Sequence, residues 1–485
     1  MRPAFVLLLC PVALACRTQP GATESNTQVG RDPGPEVDAG ADAGPPDAGP
    51  PDAGPPDAGP PDAGPPPPDP HRVGGLGIGP WPAAPITVYG GAQGLLEAPI
   101  SASTDEAENI WVVTGRALYL LRPGDKMFRR YTAHDGLHVG PGWTEPPDFT
   151  LVTGGRAGEC FVGYYAHDTH DPPDKDAHTN LDPIAHLGKM DQVRLNPDLT
   201  LQVNRYDFHN SNDWHFYETR TVTSFVYDHF QHPGELYVGS NHGVTRVQPA
   251  KFRLPSTPAD RGDPFGVERE YYADHVHPVV CDNGFCGDLG DKGHPVFGDF
   301  FGLTLAEDGR LWMGGLTSAG AIRWTPDLQR WRNSWAPDNP FVPAFDNPPV
   351  FNPPSQGGNV NIRAVAVTAD GTVWFASGEE ESWRGPTFGL ASWDGKHFQY
   401  VDSTSIGAAD YNVLEMVAWE DKLVLGFPST GLLVWKPGEA RGKRLGIKEG
   451  LPGEAIGRIS LDRMVDPPQL LVPTEGGLAV LRSLP

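Results

Sequence analysis

Residues 308–314 have the sequence Asp-Gly-Arg-Leu-Trp-Met-Gly, a turn pair followed by an apolar, a large aromatic, an apolar and a small residue. The order apolar, large, apolar and usually small recurs along the chain, with its second residue at positions 111, 161, 237, 312, 374, 424 and 471. Spacings of roughly 45 to 75 residues are typical of a radial array of small sheets. The repeat therefore predicts an all-β fold, a seven-bladed β-propeller with one blade per motif.

Each motif is expected to form the second of four strands in its blade. A β-rich run such as 362–368 precedes it, a Gly-led strand such as 389–393 follows, and a short aromatic strand such as 398–401 ends the unit. The last unit stops after 477–481 without a fourth strand, and residues 86–89 have the pattern that is missing. We therefore predict that this N-terminal strand closes the ring, since closure removes an exposed sheet edge.

A second pattern follows the short fourth strand. It is Gln, Asp or Glu followed by Gly-Leu, at residues 93–95, 135–137 and 449–451. Together with the Asp-Gly turn and the Trp motif, it resembles the repeats of periplasmic two-component-regulator propellers and, more loosely, streptogramin-lyase-like propellers. The resemblance covers residues 85–485. It implies a sensor or binding role and transfers no catalytic residue, because the repeated positions are structural.

The N-terminus has the pattern of an export signal, with an apolar run over residues 4–15 that is too short to span a bilayer. The residues before Cys16 resemble a bacterial lipoprotein cleavage box, which makes Cys16 a lipidation site; ordinary signal cleavage and simple secretion is the alternative. We therefore expect a signal peptide at 1–15, a lipidated and disordered Pro/Ala/Gly/Asp-rich tether at 16–72, and the propeller at 73–485. This organisation predicts an outer-membrane or cell-surface lipoprotein of the bacterial cell envelope.

The net charge and the cysteines limit the partners. A formal charge of -24 with a pI near 5.0 argues against nucleic acid and against anionic lipid surfaces, so membrane contact is expected only through the lipid anchor. Cys281 and Cys286 lie close together in an exported chain, which favours a disulfide; a zinc site with neighbouring histidines is the alternative. Cys160 falls within a strand pattern and is expected to be a buried apolar residue.

The long irregular segments indicate which face of the ring carries function. Counting strands assigns all of them to the end where second-to-third and blade-to-blade connections emerge. These segments are 138–148, 164–182, 209–220, 254–298, 335–360 and 378–388. Aromatic residues within them are candidates for a surface that stacks on a ligand, or else they form small satellite cores over the blade ends. The candidates are Trp143, Trp214, Tyr217, Trp335, Phe345 and Trp383.

One insertion, residues 167–178, is dense in imidazole and carboxylate groups. It predicts either a solvated polar loop or a Ca or Zn site, and it lacks the Gly and Glu of an EF-hand. No cofactor is otherwise required. The candidate ligands are His167, Asp168, His170, Asp174, Asp176 and His178.

Catalytic motifs are sparse in this sequence: it contains no nucleophile elbow, no phosphate-binding Gly loop and no His-Glu-x-x-His. The favoured function is a non-enzymatic binding or scaffold module for a protein, peptide or glycan, held at the envelope. A metal-assisted lyase or hydrolase that uses the His and Asp residues of the same face is one alternative. A sensory subunit for a separate membrane partner is the other.

Overall fold

The computed structural model describes fourteen stretches of the chain. They are 84–137, 149–164, 190–206, 222–228, 232–240, 244–247, 273–276, 279–280, 294–295, 302–314, 319–325, 330–333, 362–378 and 389–484, the last without 396, 410, 464 and 466. Within these residues the regular structure consists of strands and three short 3₁₀ helices, at Gly91–Gln93, Ala133–Asp135 and Ile447–Glu449. None of the described helices has the length and apolar character that crossing a bilayer requires.

The strands are numbered in chain order. They are β1 (Ile86–Tyr89), β2 (Ser101–Thr104), β3 (Ile110–Val113), β4 (Leu118–Leu121), β5 (Arg129–Tyr131), β6 (Phe149–Gly154), β7 (Glu159–Tyr164), β8 (Met190–Leu195), β9 (Leu201–Tyr206), β10 (Val222–Asp228), β11 (Glu235–Ser240), β12 (Val244–Val247), β13 (Ala273–Val276), β14 (Val279–Val280), β15 (His294–Pro295), β16 (Gly302–Leu305), β17 (Leu311–Gly314), β18 (Ala319–Thr325), β19 (Arg330–Asn333), β20 (Ile362–Val367), β21 (Val373–Ser377), β22 (Leu390–Trp393), β23 (Phe398–Val401), β24 (Glu415–Trp419), β25 (Lys422–Phe427), β26 (Gly431–Trp435), β27 (Lys443–Leu445), β28 (Ser460–Asp462), β29 (Gln469–Thr474) and β30 (Gly477–Leu481).

Seven four-stranded antiparallel sheets form the blades of the propeller. Blades 1 to 6 are β2–β5, β6–β9, β10–β13, β16–β19, β20–β23 and β24–β27, and a two-stranded sheet, β14–β15, follows blade 3. Blade 7 has the order β1-β30-β29-β28, with Ile86 opposite Leu481 and Tyr89 opposite Leu478. The predicted closure by the N-terminal strand is therefore confirmed, and every repeat motif lies on the second strand of its blade.

The core lies between blades. Seven clusters of buried apolar side chains lie between neighbouring blades, and one of them lies between blade 7 and blade 1. Trp374 of blade 5 meets Trp435 of blade 6 edge-on, with ring centroids 5.5 Å apart. Burial of such side chains contributes about 1.5 to 3 kcal/mol each. The ring is thus stabilised by face-to-face packing at every blade boundary.

The small fourth residue of the motif has a steric cause. A Cβ on Gly314 would collide with the Ile362 side chain at the start of the next blade, and one on Gly163 would collide with Val222 in the same way. Glycine leaves room for a β-branched side chain from the neighbouring blade. The repeated Gly or Ala therefore reflects blade packing and not chemistry at a site.

The Gly-Leu pattern also has a structural explanation. Each copy ends one of the 3₁₀ helices, where the side chain before the glycine accepts a hydrogen bond from the N-cap N–H, as Asp135 does from Thr132 at 2.8 Å. The glycine that follows has a positive φ, 96° at Gly136, which side chains disfavour. The leucine after it is buried, as in Leu137. This cap directs the chain from the outer strand back toward the next blade.

The two ends of the ring differ in their connections. We call the end with second-to-third and blade-to-blade connections the loop-rich face, and the other end the turn face. Turns 306–310, 368–372 and 420–421 on the turn face are tight. One assignment was wrong: the segment 254–298 does not lie wholly on the loop-rich face. Because β13 is the fourth strand of blade 3, residues 248–272 join a third to a fourth strand and leave from the turn face.

A buried carboxylate fixes one turn of the turn face. Asp105 accepts hydrogen bonds from the N–H groups of Ala107 and Asn109 and from the Asn109 side chain. It also accepts the indole N–H of Trp111 at 2.8 Å and the backbone N–H of Gly158, in blade 2, at 3.1 Å. Burial raises the pKa of Asp105 to about 7, and the hydrogen bonds from Asn109, Trp111 and Ala107 act in the opposite direction. This carboxyl group therefore links two blades.

Candidate binding site in the central channel

The first strands of the seven blades surround a central channel. Strands β2, β6, β10, β16, β20, β24 and β28 are neighbours around the ring. All seven contribute residues to a cavity of about 670 Å³. Small-molecule sites commonly measure about 300 to 1,000 Å³, so this cavity has the size of a ligand pocket.

Strand register identifies equivalent positions in the channel wall. The residues paired with the fourth position of the motif lie at the start of the first strands, toward the loop-rich face, and we call them the upper ring. Ser101 pairs with Val113 and Glu415 with Gly426, and in blade 7 a parallel bridge places Arg458 beside Ser101, so Arg458 is counted with them. The upper ring consists of Ser101, Leu151, Ser224, Gly302, Ala364, Glu415 and Arg458. Glu415 and Arg458 are its charged members, and they occupy adjacent blades.

These two side chains form an ion pair in the channel wall. Arg458 Nη1 lies 3.3 Å from Glu415 Oε2, and each side chain is 17% exposed. Burial raises the pKa of Glu415, and the nearby guanidinium groups of Arg458 and Arg363 act against that rise. Backbone bonds fix both positions, since Arg458 N–H donates to the Ile100 carbonyl at 2.7 Å and Leu414 N–H donates to the Gly426 carbonyl at 2.8 Å.

Arg363 reaches this region through a distortion of its strand. The β20–β21 register shifts between Ile362 and Ala364, which makes Arg363 a bulged residue. The register also shifts at Thr150 in blade 2 and at Thr223 in blade 3. Bulges re-aim side chains and often occur beside functional sites. The bulge in blade 5 brings a second guanidinium into electrostatic contact with Glu415.

One side of the channel wall is polar and is held by serine side chains. Ser103 Oγ accepts the Gly154 N–H at 2.9 Å, and Ser460 Oγ donates to the Ala102 carbonyl at 2.7 Å. Val152 N–H donates to Ser101 Oγ at 3.2 Å. In each case a serine of one first strand satisfies the backbone of the next. These bonds join blades 7, 1 and 2 along the channel.

The wall on the side of blades 3 to 6 is apolar. Half-buried aliphatic side chains line the cavity there, among them Val226, Val367 and Val417. At the turn face the cavity is bordered by exposed Glu307, Asp308 and Glu420. Arg310 and Arg463 also line the cavity at that end, so the described channel has charged side chains of both signs at each end and an apolar wall between them.

The site residues expected from the sequence lie outside the described residues. This applies to the aromatic candidates Trp143, Trp214, Tyr217, Trp335, Phe345 and Trp383, to the metal candidates His167, Asp168, His170, Asp174, Asp176 and His178, and to Cys16, Cys281 and Cys286. Cys160 is buried and free, as expected, and its burial raises the pKa of its thiol. Among the described residues, no group of three or more His, Cys, Asp or Glu side chains could hold a metal ion.

Sequence reasoning missed Glu415 and Arg458. A Glu and an Arg at the start of two apolar strands carry no local motif. The signal that could have found them is alignment of the seven units by strand register, in which the same position is uncharged in blades 1 to 5. The other blades serve as an internal control: they form without charge at this position.

Comparison with known proteins gives structural likenesses only. No family model and no curated protein matches the chain. One similar solved structure is the extracellular domain of the putative hybrid two component system BT3049 from B. thetaiotaomicron, with a TM-score of 0.47 and 13% identity over 82% of this chain and 42% of that chain. This chain therefore spans about two fifths of that structure.

Two further solved structures show a similar level of likeness. YCF48 bound to D1 peptide gives a TM-score of 0.44 and 10% identity, covering 84% of this chain and 100% of that chain. A chain of the Mitotic Checkpoint Complex gives a TM-score of 0.45 and 12% identity, covering 80% of this chain and 91% of that chain. Identities this low concern the fold alone. The assignment as a seven-bladed propeller rests on the strand pairing and ring closure described above.

Proposed function

We propose that this protein is an exported binding module that holds a protein, peptide or glycan through its loop-rich face. The observation that carries the proposal is the unequal distribution of long connections around a closed ring. The connections of more than ten residues on the loop-rich face are 90–100, 132–148, 165–189, 207–221, 277–301, 334–361, 378–389, 402–414 and 446–459, against 248–272 between described strands of the turn face. Rigid scaffolds commonly present binding residues on such loops.

The aromatic residues of these connections support the same proposal. Trp335 and Phe345 occur in the longest of these connections, 334–361, and Trp383 occurs in 378–389. Aromatic rings offer large contact area and suit both peptide and glycan ligands. We therefore assign the principal partner contact to the face and not to the blades, whose side chains are used in packing.

The test compares the two faces in one assay. The purified protein is screened on a glycan array and a peptide library, and its ligands are tested again with residues 335–358 or 378–388 replaced by a short Gly-Ser linker. We expect the truncations to remove binding while the unfolding midpoint is retained. A matched control carries Glu420→Lys and Asp421→Lys in the exposed β24–β25 turn and should bind normally. Binding that survives both truncations, or that is lost in the turn control, would overturn the proposal.

Export and anchoring form a separate part of the proposal. Residues 1–15 are assigned as the signal peptide, Cys16 as the lipidated residue, residues 16–72 as the tether and residues 73–485 as the propeller. A Cys16→Ser variant should leave the envelope membrane fraction and appear in the soluble exported fraction. Retention of that variant in the membrane would contradict the lipid anchor without affecting the binding proposal.

The metal-assisted alternative is tested by elemental analysis of the purified protein. The binding proposal expects no metal at molar equivalence and no loss of ligand capture when His167, His170 and His178 are changed to Ala. Stoichiometric Zn or Ca that depends on those residues would favour the enzyme alternative instead.

A further inference from the structure

We infer that the central channel is a second binding site, for a small organic anion whose acidic group pairs with Arg458 and whose apolar body lies along blades 3 to 6. This site is independent of the partner proposed for the loop-rich face, because its walls are strands. The inference stands on the charge, the shape and the internal repetition of the channel.

Internal repetition indicates that the charged pair is not needed for the fold. The upper-ring position is occupied by Ser, Leu, Ser, Gly and Ala in blades 1 to 5, and those blades form the same four-stranded sheets. Half-buried ion pairs offer little net stability, because desolvation offsets their attraction. A Glu and an Arg on adjacent blades at the wall of a cavity are therefore more simply explained by a ligand than by packing.

The local charge favours an anion over a cation. Arg458 pairs with Glu415 in the cavity wall, and Arg363, which is not among the lining residues, is near enough to lower the pKa of Glu415 as well. Burial has the larger effect and raises the pKa of Glu415, which makes its charged form less favourable. The chain as a whole carries -24, so this positive spot is an exception to the overall field. Guanidinium groups bind carboxylate and sulfonate oxygens through paired N–H donors.

The apolar wall of the channel indicates the chemical character of the ligand's body. Val226, Val367 and Val417 are half-buried although they lie on first strands, where many neighbouring side chains are fully buried. A cavity of about 670 Å³ with apolar walls suits a molecule with one acidic group and a compact hydrocarbon or aromatic body. At the turn-face end Glu307 and Glu420 are exposed carboxylates, Arg310 pairs with Asp308 and Arg463 donates to the Ala418 carbonyl. The acidic group is therefore assigned to the Arg458 end.

The experiment uses two fluorescent probes of similar shape on the purified full chain. The anionic probe is 8-anilinonaphthalene-1-sulfonate and the uncharged probe is N-phenyl-1-naphthylamine. We expect saturable binding of one anionic probe per chain. Arg458→Gln should weaken the affinity for the anionic probe about tenfold or more. The affinity for the uncharged probe should change little, because only the charge-assisted hydrogen bonds are lost. Glu415→Gln should raise the affinity for the anionic probe, since it removes the carboxylate that competes with the probe for Arg458.

Three controls make the result decisive. Arg122→Gln removes the guanidinium of an ion pair with Asp125 in a turn of blade 1, outside the channel, and should alter neither probe. Val417→Trp fills the apolar wall and should exclude both probes. The variant lacking residues 335–358 should bind both probes normally, which separates this site from the loop-rich face. Equal response of the two probes to Arg458→Gln, or absence of saturable binding by a folded wild-type chain, would overturn the inference.

Discussion

Two carboxyl groups at opposite ends of the ring, one buried and one half-buried, serve two different purposes. Asp105, toward the turn face, accepts N–H groups from its own turn, from Trp111 and from blade 2. Glu415, toward the loop-rich face, meets a guanidinium at 3.3 Å in the wall of a cavity. Burial raises the pKa of both. The difference in donors indicates that Asp105 holds the ring together, whereas Glu415 belongs to a site.

The largest expected effect is the loss of Asp105. Asp105→Ala leaves the buried N–H groups of Trp111 and Gly158 without their acceptor, and we expect unfolding to become easier by about 3 kcal/mol. The measurement is denaturant unfolding of the purified protein. Asp370→Ala is the matched control, because that turn carboxylate is exposed and accepts from Thr368 and Thr372. Equal losses in the two variants would contradict the structural role that the comparison gives to Asp105.

The second test uses pH. The folded-state pKa of Asp105 is about 7 against 3.8 for the ordinary group, so the folded protein keeps a proton that the unfolded chain releases. Stability from this group is therefore greatest below about pH 4 and falls as pH rises toward 7, with a slope of at most ~1.4 kcal/mol per pH unit. Asp105→Asn should remove that part of the slope. Parallel stability profiles for wild type and variant between pH 4 and 7 would contradict the assignment.

A smaller effect is expected at Trp111, which sharpens the structural side of the comparison. Trp111→Phe removes one donor to Asp105 and some buried volume, and we expect a loss of about 2 kcal/mol. Trp435→Phe loses a similar volume, but its indole N–H donates to the neutral Glu439 carbonyl at 2.9 Å, so its loss should be smaller. Thermal unfolding of both variants checks which loss is larger. A loss for Trp435→Phe as large as that for Trp111→Phe would mean that the hydrogen bond to Asp105 adds nothing to stability.

The smallest effect on stability is expected at the channel pair. Glu415→Gln combined with Arg458→Gln replaces both charges by neutral amides of similar size, and unfolding should change by less than about 1 kcal/mol. Arg122→Gln combined with Asp125→Asn is the reference pair outside the channel, with similar exposure of 17% and 19%, and should change the free energy of unfolding as little. A loss as large as that of Asp105→Ala would mean that Glu415 and Arg458 are structural, and the functional side of the comparison would fail.

Much of the fold could be predicted because its signals are local and repeated. The seven motifs fixed the number of blades, and the unpaired pattern at residues 86–89 predicted the closing strand β1. The same counting failed at residues 254–298, because 25 residues separate β12 from β13, whereas the third and fourth strands of blades 1, 2, 4, 5 and 6 are joined by seven residues or fewer. Strand identity there depends on pairing with β12, which no local signal in the chain specifies.

The candidate channel site depended on the tertiary structure. Glu415 and Arg458 lie 43 positions apart, and Arg363 is further away still, so no short motif connects them. Their proximity follows from the register of β20 and β24, from the bulge at Arg363 and from the bridge between Arg458 and Ser101 of blade 1.

What the sequence determined by itself is the repeat, the strand order within most blades and the acidic character of the chain, because periodicity and composition act over short distances. What only the tertiary structure decided is which side chains share the channel wall and which carboxyl groups link blades. Those relations depend on how separate sheets pack against one another, and the free energy of that packing is spread over the whole ring.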